Sequence, residues 1–332
     1  MKKLINNADF VVEDMLKGIV AAHPEYVKKL ETGNILIRKN SPIQGKVALV
    51  SGGGSGHEPA HGGYVGRGML DAAVAGSVFT SPTPDQVYEA IKAVDGGAGV
   101  LLVIKNYTGD VMNFDMAKEL AEMEGITVES VIVNDDVAVE NSTYTAGRRG
   151  IAGTIFVHKI AGAKAEKGTT LKEVKAVAEK VINNLRSMGM ALTPCTVPAA
   201  GKPNFTLSEN EMEIGMGIHG EPGTHREEIK TADEITEQLV NKILADMPLE
   251  TGSEVALMVN GLASTPLMEL YIVNKKVHEM LTQKGVKVYR TFVGEYMTSL
   301  EMAGCSISLL KLDNELKELL DDQADTPAFK IL

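Results

Sequence analysis

The chain has 332 residues, enough for two domains, with 44% apolar and 23% charged residues, the balance of an ordinary globular protein. A formal net charge of −11 argues against nucleic acid and anionic membranes as main partners, and no stretch approaches the roughly 18 apolar residues of a membrane span. Met1–Asp9 lacks the apolar core and cleavage site of a signal peptide, and Cys195 and Cys305 lie far apart in no metal-like spacing, so a reduced, cytoplasmic setting is expected.

Phe10, Val11, Met15, Leu16, Ile19 and Val20 recur at helical spacing and predict a helix from Ala8 to Ala22. Ile35–Arg38 reads as a short strand. Lys46–Val50 reads as a buried strand running into Ser51-Gly52-Gly53-Gly54-Ser55-Gly56-His57-Glu58-Pro59. That glycine run predicts either a plain strand-to-helix turn or a tight loop that brings bare backbone to a ligand. It lacks the Lys-Ser/Thr ending of a P-loop and has no G-x-G-x-x-G register. Further strands are expected at Asp71–Ala75, Val100–Ile104 and Val128–Val133, with helices at Asp85–Val94 and Asp115–Glu122. Such alternation indicates an α/β sheet, largely parallel, whose ligands sit beyond the carboxyl ends of its strands. Gly52–Glu58, Thr80–Thr83, Lys105–Asp110 and Asn134–Asp136 are all expected there.

Helices are expected up to Lys167, with His158 as a packing or surface residue, and from Leu171 to Leu185. Thr193–Pro203 holds three prolines and little periodicity, which places a linker there. Two α/β domains are therefore expected, residues 1–192 and 193–332, each a largely parallel or mixed sheet flanked by helices. In the second, strands are expected at Glu211–Ile218, Glu254–Val259, Val286–Tyr289 and Ile307–Leu312, with helices at Ala232–Met247 and Met268–Thr282.

Gly215-Met216-Gly217-Ile218-His219-Gly220 does match G-x-G-x-x-G. Pro222-Gly223 follows where a helix should begin, so the dinucleotide reading is rejected. What remains is a histidine between glycines, with Glu221 two residues on. A neutral imidazole is a nucleophile when its other nitrogen donates to a fixed acceptor, for which Glu221 is a candidate; the alternative is a turn histidine bonded to backbone. No spacing suits a metal ion: Pro59 interrupts the His57/His61 pair.

Taken together, the motifs resemble the dihydroxyacetone-binding K subunits of bacterial dihydroxyacetone kinases. The resemblance rests on Gly52–Pro59, Phe79–Pro84, Lys105–Asp110, Tyr144-Thr145-Ala146-Gly147-Arg148-Arg149-Gly150, Thr196–Pro203 and Gly217–Gly223, in family order over essentially the whole chain. It implies that His219 adds to the C2 ketone of dihydroxyacetone as a hemiaminal. It implies that Gly54, Ser55, Gly56, His57, Ser81, Lys105 and Asp110 hold the substrate, and that His57 and Asp110 deprotonate the accepting hydroxyl. It further implies a homodimer that itself binds no cofactor. ADP or ATP with Mg2+ is expected on a separate L subunit, recharged by a phosphotransferase-system protein, because the chain ends at Leu332 without a nucleotide domain. A non-catalytic paralogue that binds the same ketone and co-activates a transcription regulator is the alternative. It would need the binding residues but not His57, Asp110 and His219 together.

Overall fold

The amphipathic N-terminal pattern folds as a 3-10 turn, Ala8–Phe10, leading into α1 (Val11–Ala22), which buries Val12 and Leu16. The structure, a computed structural model, describes residues 2–142 and 145–332, so Tyr144 lies outside the described residues. There follow β1 (Val27–Lys29), β2 (Ile35–Arg38), β3 (Ala48–Ser55), β4 (Ala72–Val78), α2 (Pro84–Val94), β5 (Val100–Lys105), α3 (Thr108–Met123) and β6 (Val128–Val133). The six strands form one sheet in the order β1-β2-β4-β3-β5-β6; its β4-β3-β5-β6 portion is parallel, as expected.

Alternating side chains divide between the faces of this sheet, as the two-residue period of a strand requires. Val50, Val74, Val100 and Leu102 pack on α2 and α3, around Val87, Ile91 and Phe114. Leu49, Ala73, Leu101 and Val103 point the other way, toward α4 (Thr154–Glu166) and α5 (Leu171–Asn183).

The second sheet is built from β7 (Leu185–Ala191), β8 (Glu211–Ile214), β9 (His225–Glu228), β10 (Glu254–Gly261), β11 (Lys287–Gly294) and β12 (Gly304–Leu312), in the order β11-β10-β12-β7-β8-β9. Only β10 and β11 run parallel, so this sheet is mixed and mostly antiparallel. Helices α6 (Ala232–Asp246) and α7 (Leu267–Gln283) cover one face. The other face, through Ala256, Met258 and Leu310, joins the core that also holds α4, α5 and α8 (Asn314–Asp321). Helix α4 is therefore buried almost all round, which explains its weak amphipathic pattern.

The strand expected over Glu211–Ile218 ends at Ile214, leaving His219 on a loop, and three other differences from expectation matter here. The stretch after Lys46 does not leave the sheet at Ser51: β3 carries Gly52, Gly53 and Gly54 as strand, paired with β4 through Gly54↔Gly76. A Cβ on Gly52 would stand 2.4 Å from the Val74 carbonyl oxygen, so glycine serves close strand approach rather than a loop. Helix α3 starts at Thr108 rather than Asp115, which puts Asp110 in its first turn, where a carboxylate suits the helix dipole. Strand β7, with Ser187 and Gly189 inside it, had no strand-like pattern. It pairs with β12 and β8, so the change of sheet comes before Leu185, whereas the expected division at residue 193 leaves β7 with the first sheet.

Candidate active site

The pairing of β3 with β5 runs only to Ser51↔Val103, and the glycines of β3 continue past it with one edge free. Lys105, at the end of β5, and Asp110, in the first turn of α3, fill that edge. A Cβ on Gly53 would lie 3.0 Å from Lys105 Nζ and 3.3 Å from Asp110 Oδ2, so a bare Cα lets both groups converge. Both are buried, and neither Lys105 Nζ nor Asp110 Oδ1 has a hydrogen-bond partner among the described residues. Burial pushes the Lys105 ammonium below its ordinary range, against the pull of Asp110 and Glu221. It pushes the Asp110 carboxyl up, restrained by Lys105 and the Ser81 hydroxyl.

His57 follows β3 and is fully buried. Its Nδ1 lies 2.8 Å from the Thr298 carbonyl oxygen. A carbonyl only accepts, so Nδ1 carries the proton and Nε2 keeps a lone pair, with no partner among the described residues. Burial first, then the charge of Lys105 and the neighbouring His219, hold the imidazole well below its ordinary pKa, and it is neutral. The Phe79 ring stacks on it at 5.1 Å.

His219 comes from the second sheet, on the loop between β8 and β9. Its Nδ1 lies 2.8 Å from Glu221 Oε1, and its backbone N–H donates to Glu221 Oε2 at 2.9 Å. Burial opposes charge on Glu221, but His219 and Arg149 outweigh it and bring the carboxyl down to about 2. The carboxylate is therefore an acceptor only. It holds the Nδ1–H tautomer and leaves His219 Nε2 with a free lone pair. The rings of Tyr107, His57 and Phe79 meet the imidazole edge-on, with centroids 4.6, 4.8 and 5.1 Å away. Ser299 donates to the Ile218 carbonyl, and the Asn204 amide to the His219 carbonyl at 2.8 Å, so the backbone on both sides of the ring is tied down.

These groups border a cavity of about 520 Å3 lined by Gly54, Phe79, Ser81, Tyr107, Asp110 and His219, among others. Of the sequence-derived site residues, Gly54, Ser81, Asp110 and His219 reach it directly, and His57 and Lys105 are buried beside it. Ser55 and Gly56 turn away. The Ser55 hydroxyl donates to the Gly76 carbonyl at 2.7 Å; the Gly56 N–H donates to Glu58, and its carbonyl accepts from Leu300. Asp135 and Asp136 are not at the cavity either. Asp135 accepts from the N–H groups of Ile151 and Gly153, and Asp136 pairs with Arg149. Sequence reasoning missed the Phe79 and Tyr107 walls, although both lie inside motifs it had singled out. It also missed Thr298, 241 positions from His57, and Asn204, just past the expected linker, neither of which carries a local signal.

A family model described as the Dak1 domain matches residues 17–328. A protein of Listeria innocua serovar 6a named PTS-dependent dihydroxyacetone kinase 1, dihydroxyacetone-binding subunit DhaK, is 57% identical over 315 residues, 95% of each chain. Among solved structures, the dihydroxyacetone kinase from C. freundii in complex with AMP-PNP and Mg2+ superposes with a TM-score of 0.92 at 36% identity, over 99% of this chain and 61% of that one. The dihydroxyacetone kinase operon co-activator Dha-DhaQ superposes with a TM-score of 0.89 at 39% identity, over 95% of this chain and 97% of that one.

Proposed function

The chain belongs to the Dak1 domain family, and on that footing we propose that it is the dihydroxyacetone-binding subunit of a dihydroxyacetone kinase. The observation that carries this reading is the His219–Glu221 pair: a 2.8 Å contact that fixes the proton on Nδ1 and leaves Nε2 free beside the cavity. In the proposed reaction His219 Nε2 forms a bond to C2 of the ketone. The C=O π pair moves to oxygen, which takes a proton from solvent in the cavity, and the ring, left with one positive charge and its Nδ1–H, pairs with the Glu221 carboxylate. A three-carbon polyol offers little surface for non-covalent affinity, so a reversible bond supplies retention and rejects glycerol, which has no carbonyl to attack.

Lys105, Asp110, Ser81 and the Gly54 backbone would hold the hydroxyls. The accepting primary hydroxyl would give its proton to His57 Nε2 or Asp110 as it attacks the phosphoryl group. His57 is neutral and has a lone pair to accept the proton, though burial weakens it as a base, whereas burial strengthens the Asp110 carboxylate as one. Phosphoryl transfer asks chiefly for position and charge, which such a pocket supplies. The phosphate would come from a nucleotide with Mg2+ on a partner L subunit, recharged through a phosphotransferase system, with this chain working as a homodimer. The match over 95% of a relative named as the dihydroxyacetone-binding subunit of a PTS-dependent kinase supports the separate-subunit, phosphotransferase-dependent part of this reading. The second reading, a co-activator, is favoured by the 39% likeness to Dha-DhaQ; the 57% likeness to a kinase subunit and the joint presence of His57, Asp110 and His219 favour catalysis.

A coupled assay with an L-type partner and its phosphoryl donor tests the proposal. Dihydroxyacetone phosphate should form only when this chain is present. No product, with an adduct still detected on the chain, would favour the co-activator.

A further inference from the structure

Arg149 is among the largest side chains wholly withdrawn from solvent, and none of the steps above uses it. It leaves the segment after β6, on the side of the first sheet, and reaches the loop that carries His219. Its Nη2 donates to the Gly215 carbonyl at 2.7 Å, and its Nη1 lies 3.4 Å from the Pro222 carbonyl. One guanidinium thus touches both legs of the loop, before and after His219. Its Nε donates to Asp136 Oδ2 at 2.8 Å, Nη2 lies 2.7 Å from the same oxygen, and Asp136 Oδ1 accepts from the Ala138 N–H at 2.9 Å. A planar fork with five donors fits this set of acceptors, and an ammonium does not. Gly217, between the legs, makes room for it: a Cβ there would lie 2.1 Å from Glu221 Oε2 and 2.7 Å from Arg149 Nη1. Glu221 and the guanidinium therefore flank the same bare Cα.

We propose that Arg149, anchored by Asp136, is the positioning residue for His219: by clamping both legs of the Gly215–Pro222 loop it holds the Glu221 carboxylate under the imidazole and aims Nε2 into the cavity. This rests on the reading of His219 as the point of ketone attachment. The charges agree with the geometry, since Arg149 is one of the groups that keep the buried Glu221 ionised. The arrangement also has a consequence for assembly of the site. The clamp spans the two sheets, so the nucleophile is aimed only once both halves have packed.

The test uses Arg149→Lys, which keeps the charge and loses the fork, and Asp136→Asn, which keeps the guanidinium and weakens its anchor. In the wild-type chain, 15N NMR of histidine-labelled protein should show His219 as the Nδ1–H tautomer, and intact mass after borohydride-free rapid desalting should show retained dihydroxyacetone. Both variants should mix the His219 tautomers and lose about 10- to 100-fold in ketone retention, the scale expected when a reacting atom is misplaced by an ångström. If Arg149→Lys does not fold, Asp136→Asn carries the test alone. Unchanged His219 signals and unchanged retention in a folded variant would overturn the clamp while leaving the attachment reading in place. Absence of any adduct on the wild-type chain would instead overturn the attachment reading, and the clamp with it.

Discussion

His57 and His219 lie 4.8 Å apart by ring centroid, yet the two regions hold them by opposite means. His57 follows a sheet-bound glycine strand, is fully buried, and donates its Nδ1–H to a backbone carbonyl at Thr298 in the other half of the chain. His219 sits on a loop, keeps 14% of its side chain exposed, and gives its Nδ1 proton to a carboxylate two residues away. A neutral carbonyl partner in a buried setting keeps an imidazole uncharged, as suits a proton acceptor. A carboxylate partner stabilises positive charge on the ring, as suits a nucleophile that becomes cationic on bonding carbon. Similar local sequences, Gly-His-Glu-Pro and His-Gly-Glu-Pro, thus serve different chemistry because the partner of Nδ1 differs.

Removing one functional group from each region should separate the roles. His219→Ala should abolish the dihydroxyacetone adduct seen by intact mass, the largest effect expected; an adduct of undiminished yield would place the nucleophile elsewhere. Asp110→Asn keeps the shape of the pocket beside His57 and removes a base. It should leave the adduct in place and lower turnover by about 10²- to 10⁴-fold. Turnover at the wild-type rate would assign proton removal to His57 alone.

The glycines offer a milder contrast. A Cβ on Gly54 would fall 2.6 Å from the Thr80 nitrogen and 2.7 Å from the Phe79 Cα, both backbone atoms of the turn that follows β4, where the Phe79 N–H donates to the Ser55 carbonyl. Gly54→Ala should therefore destabilise the fold by about 1–3 kcal/mol, read from the urea midpoint, and displace the Phe79 wall of the pocket. A midpoint within error of wild type would show that the Phe79–Thr80 turn yields more readily than its packing suggests.

How much of this was legible beforehand follows from the range of each interaction. The strands β5 and β6 and the helices α2, α6 and α7 were readable because their periodicity is local. Helix α3 was read seven residues short, from Asp115 rather than Thr108, because Thr108, Gly109 and Asp110 look like loop; its start is secured by what Asp110 meets across the pocket. Strand β7 was unreadable because Ser187, inside it, spends its hydroxyl on Ser308 of the neighbouring β12. The site residues His57, Lys105, Asp110 and His219 could be named from motifs, but the Nδ1 partner that sets the chemistry of His57 lies at Thr298, 241 positions along the chain. Ser55 and Gly56 show the converse: membership of a motif does not say which way a hydroxyl or an N–H points.

The smallest effect concerns the histidines behind the site. His61 Nδ1 lies 3.0 Å from His158 Nε2, and both rings are buried. Burial, and then the charge of Lys105, lowers His57 and His61 well below 6.5 and His158 to about 3. In the unfolded chain each imidazole titrates near 6.5, so unfolding takes up protons as pH falls below that value. The stability they contribute is complete above pH 6.5 and is lost progressively toward pH 3. Burial raises Asp110, Asp135 and Asp136, the last to about 6, and these act in the opposite direction, so the total slope is a sum of both signs. A difference isolates one ring. His158→Gln should reduce the fall of unfolding free energy by about 1.4 kcal/mol per pH unit across the middle of that window, relative to wild type in parallel urea titrations. Identical slopes would mean that His158 is hydrated or paired well enough to accept a proton within the fold. The separation between a dry, neutral His57 side and a charge-tolerant His219 side would then have to be drawn closer to the pocket.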